Sequence, residues 1–222
     1  MNCSAYIHED RASLDIQVAE ILAPYGLLGA YLYVRNENPS NNLPYHNLHH
    51  THCLVIQCAD GAAEMKLEEE RRRTLLLSAL FHDFGHSGGK CKDDQNIKVA
   101  VAWLKAFCDS DRYFEDCLAE ATAIIESTEF PPVAEPVTLS EKIIRDADRM
   151  QIFMPGWREQ IFGGLRKEIG VATGKEISIS EMVRLQLKFM NSVEWQTSWA
   201  ARRAAPQWAS LIEQVKRFEL EE

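Results

Sequence analysis

The chain has 222 residues, of which 46% are hydrophobic and 26% charged, and its formal net charge is −9. This composition is typical of a globular protein rather than a disordered one, and the length suits a single domain over residues 1–222 with a sizeable core. The acidic balance argues against a long nucleic acid as partner, because proteins that bind one usually carry a basic stripe. No apolar run reaches the roughly 18 residues that a membrane span needs.

The opening segment MNCSAYIHEDRASLD is polar and acidic and does not resemble a signal peptide. The six cysteines are scattered without a CxxC pair. This spacing favours reduced thiols in the core over a disulfide framework. We therefore expect a cytoplasmic protein that does not act at a membrane.

Helical periodicity dominates the chain, and no segment alternates strongly enough to require a sheet. A first helix is predicted within residues 13–26 and is expected to end at Pro24 and Gly26. The apolar segment 27–34 suits either a strand or a buried helix. The segment 66–84 is apolar almost all round over TLLLSALF and is expected to be the central, buried helix. The predicted fold class is all-α. Further helices are predicted near residues 47–65, 95–107, 111–128, 139–154, 157–169, 178–192 and 197–218.

The histidines are concentrated in one part of the sequence. Six of the seven lie between His46 and His86, and four of these fall within YHNLHHTH. Histidine is the commonest metal ligand and the one side chain whose charge changes near neutral pH. His46 and His50 are four residues apart and therefore share a face where a helix begins. This concentration indicates a metal site or an acid–base site.

Two further segments supply partners for these imidazoles. In ALFHDFGHSGG, His82 and Asp83 follow an apolar helix, and His86 lies four residues after His82. In EKIIRDADRM, Asp146 and Asp148 lie in an otherwise apolar helix. An unpaired carboxylate is costly to bury, and no lysine or arginine is adjacent to Asp83 in sequence. Two imidazoles and two carboxylates from three helices suit zinc, manganese or iron, and magnesium suits a second, oxygen-rich position.

The helical wheel leaves the choice between the two aspartates open. The apolar face of their helix comprises Leu139, Ile143, Ala147 and Met150. Asp146 lies nearer to this face than Asp148 does. The side of Asp148 is also apolar, because Ile144 and Ile152 lie there.

Together the three motifs resemble the H…HD…D pattern of the HD superfamily, whose members are metal-dependent phosphohydrolases built on a helical bundle. YHNLHH and HDFGHSG look closest to the cyclic-nucleotide phosphodiesterase branch, whose motifs are YHNxxH and HDxxHPG, with Ser87 in place of the proline. IRDADRM is similar to the closing Ala-Asp motif of the superfamily. The resemblance covers about residues 40–155 and favours Asp148 over Asp146.

The resemblance implies a role for each residue of these motifs. The implied metal ligands are His50, His82, Asp83 and Asp148. Asp83 would also serve catalysis by bridging two metals, and His46 would be the general acid that protonates the leaving oxygen. The residues expected to support these groups from outside the ligand set are Tyr45, Asn47 and His86.

The implied activity is that of a metal-dependent phosphohydrolase, in the first place a phosphodiesterase, acting on a nucleotide or another small phosphate ester through attack of a metal-bound water. One or two divalent ions (Zn, Mn, Fe or Mg) would be the cofactors. Neither the LEN-type acidic motif nor the glutamine motif of the branch is identifiable, so cyclic-nucleotide specificity does not carry over. The segment after His82 and Asp83 also lacks the diacid of (p)ppGpp hydrolases, which argues against that substrate.

Substrate-binding residues cannot be assigned from the sequence. Four cations near the motifs could hold a phosphate, although solvated surface charge is the simpler interpretation of each. These are Lys90, Lys92, Arg145 and Arg149.

Two other functions fit the pattern less well. Some proteins that resemble this one in scaffold hold two irons and oxidise their substrates with O₂, but they need further histidines after the HD motif, and none follows His86 here. A non-catalytic nucleotide or metal sensor is the other alternative, although retention of every ligand and of His46 exceeds what sensing needs. His49 and His52 are expected to be surface or supporting residues.

Overall fold

The computed structural model describes residues 3–110 and 112–218, and regular structure within these ranges is entirely helical. The all-α fold class is therefore confirmed. The α-helices are α1 (Cys3–Leu22), α2 (Leu28–Glu37), α3 (Leu48–Glu64), α4 (Glu69–Phe81), α5 (Asp93–Ser110), α6 (Leu118–Glu126), α7 (Leu139–Arg149), α8 (Arg166–Thr173), α9 (Ile179–Ser192), α10 (Ser198–Ala204) and α11 (Trp208–Arg217). Short 3₁₀ helices span Ala23–Tyr25, Pro39–Asn42, Arg112–Cys117 and Met150–Phe153, and a π-helix spans Glu159–Leu165.

Several boundaries differ from the predicted ones. The segment 27–34, left open between strand and helix, belongs to helix α2. The predicted helix 66–84 ends earlier, at Phe81, so that the HD dipeptide lies just beyond the last turn of α4. The segment 197–218 is not one helix: residues 205–207 form a turn between α10 and α11, because Pro206 cannot continue the hydrogen-bonding ladder.

Helix type also changes along three of the predicted segments. The segment near 111–128 begins as the 3₁₀ helix Arg112–Cys117 before α6, and the segment 139–154 ends as the 3₁₀ helix Met150–Phe153 after α7. The segment near 157–169 begins as the π-helix and continues as α8. Hydrophobic periodicity detects such segments as helical but does not separate the three kinds of helix.

Helix α4 is the central element of the fold, as predicted. Its residues 74–81 are all buried, and it packs against α2, α3, α6 and α7. The rings of Phe81 and Phe84 stack at its end, with centroids 5.5 Å apart. This packing fixes the short segment between them, which carries His82 and Asp83.

A second, smaller hydrophobic cluster lies against the first. It is built from the π-helix and from α9 and α11, with buried residues that include Phe162, Met182 and Leu211. Phe153 packs against both clusters, and Tyr45 packs against the smaller one. The expected single domain over residues 1–222 stays a prediction.

Two glycines allow α8 and its π-helix to approach the motif segments closely. A Cβ on Gly164 would lie 2.3 Å from the carbonyl oxygen of Pro44, and a Cβ on Gly89 would lie 2.3 Å from the carbonyl oxygen of Glu168. Gly89 also has a φ of +88°, which other residues rarely adopt. Larger residues at either position would push α8 away from the histidine-rich segment.

The described cysteines are free thiols. Four of them are buried, as expected of core thiols, whereas Cys91 is exposed on the glycine-rich loop. The side chain of Cys3 lies outside the described residues. Among the described helices, none combines the length and apolar character needed to cross a membrane.

Candidate active site

Asn47 sets the position of the first two histidines. It is the N-cap of α3, where its side-chain oxygen accepts a hydrogen bond from the backbone N–H of His50. Its amide group donates to the carbonyl oxygens of Leu43 and Pro44. Asn47 therefore fixes both the preceding loop and the first turn of the helix, which places His46 just outside α3 and His50 within it.

Four side chains from three parts of the chain converge on one point. The Nε2 atom of His50 lies 3.2 Å from Nε2 of His82, 3.2 Å from Oδ2 of Asp83 and 3.3 Å from Oδ1 of Asp148. The Nε2 atom of His82 lies 2.8 Å from Oδ2 of Asp83. We call these residues the four-residue cluster; they are the ones that the resemblance assigned as ligands.

The donor atoms of the cluster fit a divalent metal. Nδ1 of His82 lies 2.9 Å from the carbonyl oxygen of Ala79, so Nδ1 carries the proton and Nε2 presents a lone pair to the cluster. The buried Oδ2 atom of Asp83 makes no hydrogen bond within the described residues. A buried acceptor without a partner is costly, and a cation bound at this point would satisfy it. Two imidazoles with two carboxylates suit zinc, manganese or iron.

The charge balance of the cluster leads to the same conclusion. Burial lowers the pKa of His50, but Asp148 and Asp83 outweigh this effect and raise the pKa to about 10. Burial raises the pKa of Asp83, yet the charges of His82 and His46 hold it well below its usual range. In the metal-free protein, a proton on His50 therefore offsets part of the negative charge of the two carboxylates. A divalent ion would take the place of that proton.

Asp146 does not face the cluster. Its Oδ1 accepts a hydrogen bond from the backbone N–H of Gln196 at 3.0 Å, and its Oδ2 accepts from the N–H and hydroxyl of Thr197 at 2.8 Å each. Thr197 is the N-cap of α10. Asp146 is completely buried, as the helical wheel indicated, but its partners belong to the segment that begins α10. Asp148 is the aspartate that contacts His50.

Glu168 of α8 is the partner of His46. Its Oε2 lies 2.5 Å from Nδ1 of His46, and its Oε1 accepts from the backbone N–H groups of Tyr45 and His46 at 2.7 and 3.1 Å. Burial lowers the pKa of His46, but the charge of Asp83 and the hydrogen bond that the ring donates to Glu168 raise it above its usual value. The carboxylate thus orients the ring and favours its protonated form.

The ring of His86 packs against that of His46, with ring centroids 3.6 Å apart. Its Nδ1 accepts a hydrogen bond from the backbone N–H of Gly88, and its Nε2 lies 2.9 Å from Nδ2 of Asn96. Burial lowers the pKa of His86 to about 4, so the ring is neutral at pH 7. Ligand atoms of His46, Asp83 and His86 all lie within 4.8 Å of one another. These three residues could hold a second cation through Asp83.

Tyr45 packs beside both histidines of the YHN segment. Its ring centroid lies 4.8 Å from that of His46, edge to face, and 5.0 Å from that of His50. Burial, and then the charges of Asp148 and Asp83, raise the pKa of Tyr45 well above its usual range. The phenol is therefore protonated and can act only as a neutral donor or acceptor.

The two remaining histidines of YHNLHHTH lie outside the site. Nε2 of His49 contacts the carbonyl oxygen of Pro155 at 3.2 Å. His52 is buried rather than on the surface, and its Nε2 lies 3.1 Å from the hydroxyl of Tyr31. Since each residue turns about 100° around a helix, His52 points away from His50, toward Asp15 of α1.

Within the described part of the chain, none of the four cations considered from the sequence contacts the cluster. Arg145 is buried, so the surface interpretation of this residue is wrong, and its guanidinium donates to the carbonyl oxygen of Ala134. Arg149 donates to the carbonyl oxygen of Glu194. Lys90 and Lys92 are exposed. Their part in substrate binding stays undetermined.

Sequence reasoning did not find Glu168. It lies 122 residues from His46, in the segment RKEIGVAT, which has the charge pattern of an ordinary surface helix. The available signal was the Gly163-Gly164 pair just before it, because Gly164 is the point at which the π-helix meets Pro44.

An all-helical protein with a buried cluster of imidazoles and carboxylates belongs to the class of candidate metalloenzymes. Residues 51–152 match the family model of the HD domain. This segment is therefore similar to the HD domain, the helical fold of HD-superfamily metal-dependent phosphohydrolases; the match covers less than half of the chain and does not resolve a branch. His82, Asp83 and Asp148 lie within the matched residues, and His46 and His50 directly precede them. No curated protein matches the chain.

Proposed function

We propose that the protein is a phosphodiesterase that hydrolyses a nucleotide or another small phosphate ester with the help of one or two divalent ions. The convergence of His50, His82, Asp83 and Asp148 is the observation that carries this proposal. A small substrate is favoured over a long nucleic acid by the net charge of −9.

In this proposal the four-residue cluster holds a divalent ion, which can be zinc, manganese, iron or magnesium. When bound, the ion activates a water and offsets the negative charge that builds on the phosphoryl oxygens. His82 contributes an imidazole whose orientation is fixed by Ala79. Asp83, with His86 near it, would also help to hold a second ion.

His46 is proposed to protonate the leaving oxygen. Glu168 occupies Nδ1, so Nε2 is the nitrogen that is left to face the substrate. The raised pKa of His46 favours the protonated form of the ring. As the P–O bond breaks, the proton on Nε2 passes to the departing alkoxide, and Glu168 stabilises the ring in the orientation needed for this transfer.

The proposal is tested by measuring ester cleavage by protein loaded with each of the four metals. The substrate panel should contain cyclic nucleotides, nucleoside monophosphates and a nitrophenyl phosphodiester. We expect turnover of at least one substrate, lost on chelation and restored by metal. Metal binding without cleavage of any ester would favour the sensor, and O₂ consumption by the iron-loaded protein would favour the di-iron oxygenase.

A further inference from the structure

Asn96 is a buried amide in the first turn of α5 that contacts the glycine-rich loop at two points. Its Oδ1 accepts a hydrogen bond from the backbone N–H of Ser87 at 3.0 Å, and its Nδ2 lies 2.9 Å from Nε2 of His86. Because a backbone N–H can only donate, the contact with Ser87 fixes the amide with its nitrogen toward the ring. One side chain therefore holds both the ring of His86 and the backbone next to it.

The glycine-rich loop has a backbone that glycine makes adaptable. Its glycines at positions 85, 88 and 89 all have positive φ values, and glycine leaves a chain more conformational freedom than any other residue. Within the loop, the hydroxyl of Ser87 accepts from the backbone N–H of Cys91. This contact shapes the loop without joining it to a helix. Asn96 joins the loop to α5.

The first turn of α5 is itself fixed to a neighbouring segment. Oδ2 of Asp93 accepts a hydrogen bond from the backbone N–H of Phe130 at 2.6 Å, and Oδ1 of Asp93 lies 3.5 Å from Nδ2 of Asn96. The next residue, Ile97, is buried in the larger hydrophobic cluster. Asn96 therefore lies on a part of the helix that has little freedom to move, and it can serve as a fixed reference for His86.

His86 passes this constraint on to the proposed general acid. Its ring packs against that of His46, with centroids 3.6 Å apart and an interplanar angle of 30°. Glu168 contacts Nδ1 at one edge of the His46 ring, and a contact at one edge leaves the ring free to rotate about it. A second ring against its face removes that freedom. The direction of Nε2 of His46 is thus set by two partners, one on α8 and one held by Asn96.

We propose that Asn96 is a positioning residue for His46 and acts through His86. By holding His86 against the face of His46, it keeps Nε2 of His46 directed at the leaving oxygen. This inference rests on the proposed function, because it takes His46 as the general acid. Within the described residues, Asn96 makes no contact with the four-residue cluster. Its effect should therefore be confined to the proton transfer and should spare metal binding.

The variant Asn96→Leu tests this role, because leucine has nearly the same size and removes both contacts. Metal content should stay normal. For an alkyl phosphodiester, we expect kcat to fall about tenfold, less than the roughly 10²–10⁴-fold expected from loss of the acid itself. For a nitrophenyl ester, kcat should change by less than about twofold, since nitrophenolate leaves without a proton. Equal slowing of the two esters, or loss of metal, would overturn the proposal. Asn96→Ala is the second variant, with the same expected pattern, in case leucine prevents folding.

Two controls separate positioning from a general loss of stability. Gln95→Leu removes the neighbouring amide of α5, which is exposed, and should leave both kcat values unchanged. Thr197→Val removes a buried hydroxyl that donates to Asp146, so it should lower the melting temperature while the ratio of the two kcat values stays that of the wild type. A changed ratio in Thr197→Val would overturn the proposal, since the ratio would then report stability rather than the direction of the His46 ring.

Proton NMR gives a readout that does not depend on turnover. The hydrogen between Nδ1 of His46 and Oε2 of Glu168, which are 2.5 Å apart, should give a far-downfield signal that Glu168→Gln removes. We expect this signal to weaken or shift in Asn96→Leu and to stay unchanged in Gln95→Leu. If the wild type cleaves no ester but shows this difference, the proposed function fails and the positioning by Asn96 stands. An identical signal in wild type and Asn96→Leu, or no such signal in the wild type, would overturn the positioning.

Discussion

Helix α7 carries two aspartates whose surroundings differ in kind. Asp146 accepts three hydrogen bonds from the segment that begins α10, whereas Asp148 has an imidazole of His50 as its partner, beside a second carboxylate. The protein itself satisfies the first carboxylate. Asp148 lies where the negative charge of two carboxylates exceeds the positive charge that the neighbouring side chains supply. Burial alone therefore does not separate a candidate metal ligand from a structural carboxylate, whereas the partners of each carboxylate do.

The largest expected effect comes from removing the carboxylate that contacts both imidazoles of the four-residue cluster. Asp83→Ala should lose bound metal and with it all detectable turnover, because Asp83 contacts both His50 and His82. Metal content by emission spectroscopy and ester cleavage measure the two losses. His82→Ala should behave in the same way. Normal metal content in both variants would end the assignment of the four-residue cluster.

His46→Ala should reduce turnover by about 10²–10⁴-fold, the usual contribution of a positioned acid or base. Metal content should stay normal, because the proposed role of His46 concerns the leaving group. His50→Ala, one helical turn away, is the matched comparison and should lose metal and turnover together. Loss of metal in His46→Ala would make His46 a ligand instead.

Glu168→Gln should have a smaller effect of the same type. Glutamine keeps an acceptor for the backbone N–H groups of Tyr45 and His46 but removes the charge that favours the protonated ring. We expect kcat to fall by about 10-fold. In the pH–rate profile, the limb assigned to the general acid should move to lower pH. An unchanged profile would show that Glu168 serves only as a structural contact.

Metal binding should also change the pH dependence of stability. The pKa of His50 is raised to about 10 in the metal-free protein, above its usual 6.5. The stabilisation from this proton is complete below pH 6.5 and is lost as pH rises through the folded-state value. The melting temperature of metal-free protein should therefore fall between pH 7 and pH 10.

Loading with metal should release about one proton near pH 8. Calorimetry in buffers of different ionisation enthalpy can detect this release. Release of no proton would contradict the charge balance proposed for His50.

Much of the fold and the motif residues could be predicted from the sequence. The predicted buried helix is α4, and the residues of the three motifs meet because each motif lies at or near a helix end with a regular apolar pattern. Glu168 could not be predicted, since its partner lies 122 residues away. The role of Asp146 was equally hidden, because its acceptor sites are filled by backbone groups 50 and 51 residues further along the chain. Local periodicity does not report such contacts.

The most direct test is the metal content of Asp148→Ala and Asp146→Ala, purified and loaded under the same conditions. The account predicts that Asp148→Ala retains little metal and a nearly unchanged fold. Asp146→Ala should keep its metal but lose about 3 kcal/mol of unfolding free energy, because three donors near the start of α10 lose their acceptor. Retention of metal by Asp148→Ala with its loss from Asp146→Ala would contradict the four-residue cluster as the metal site.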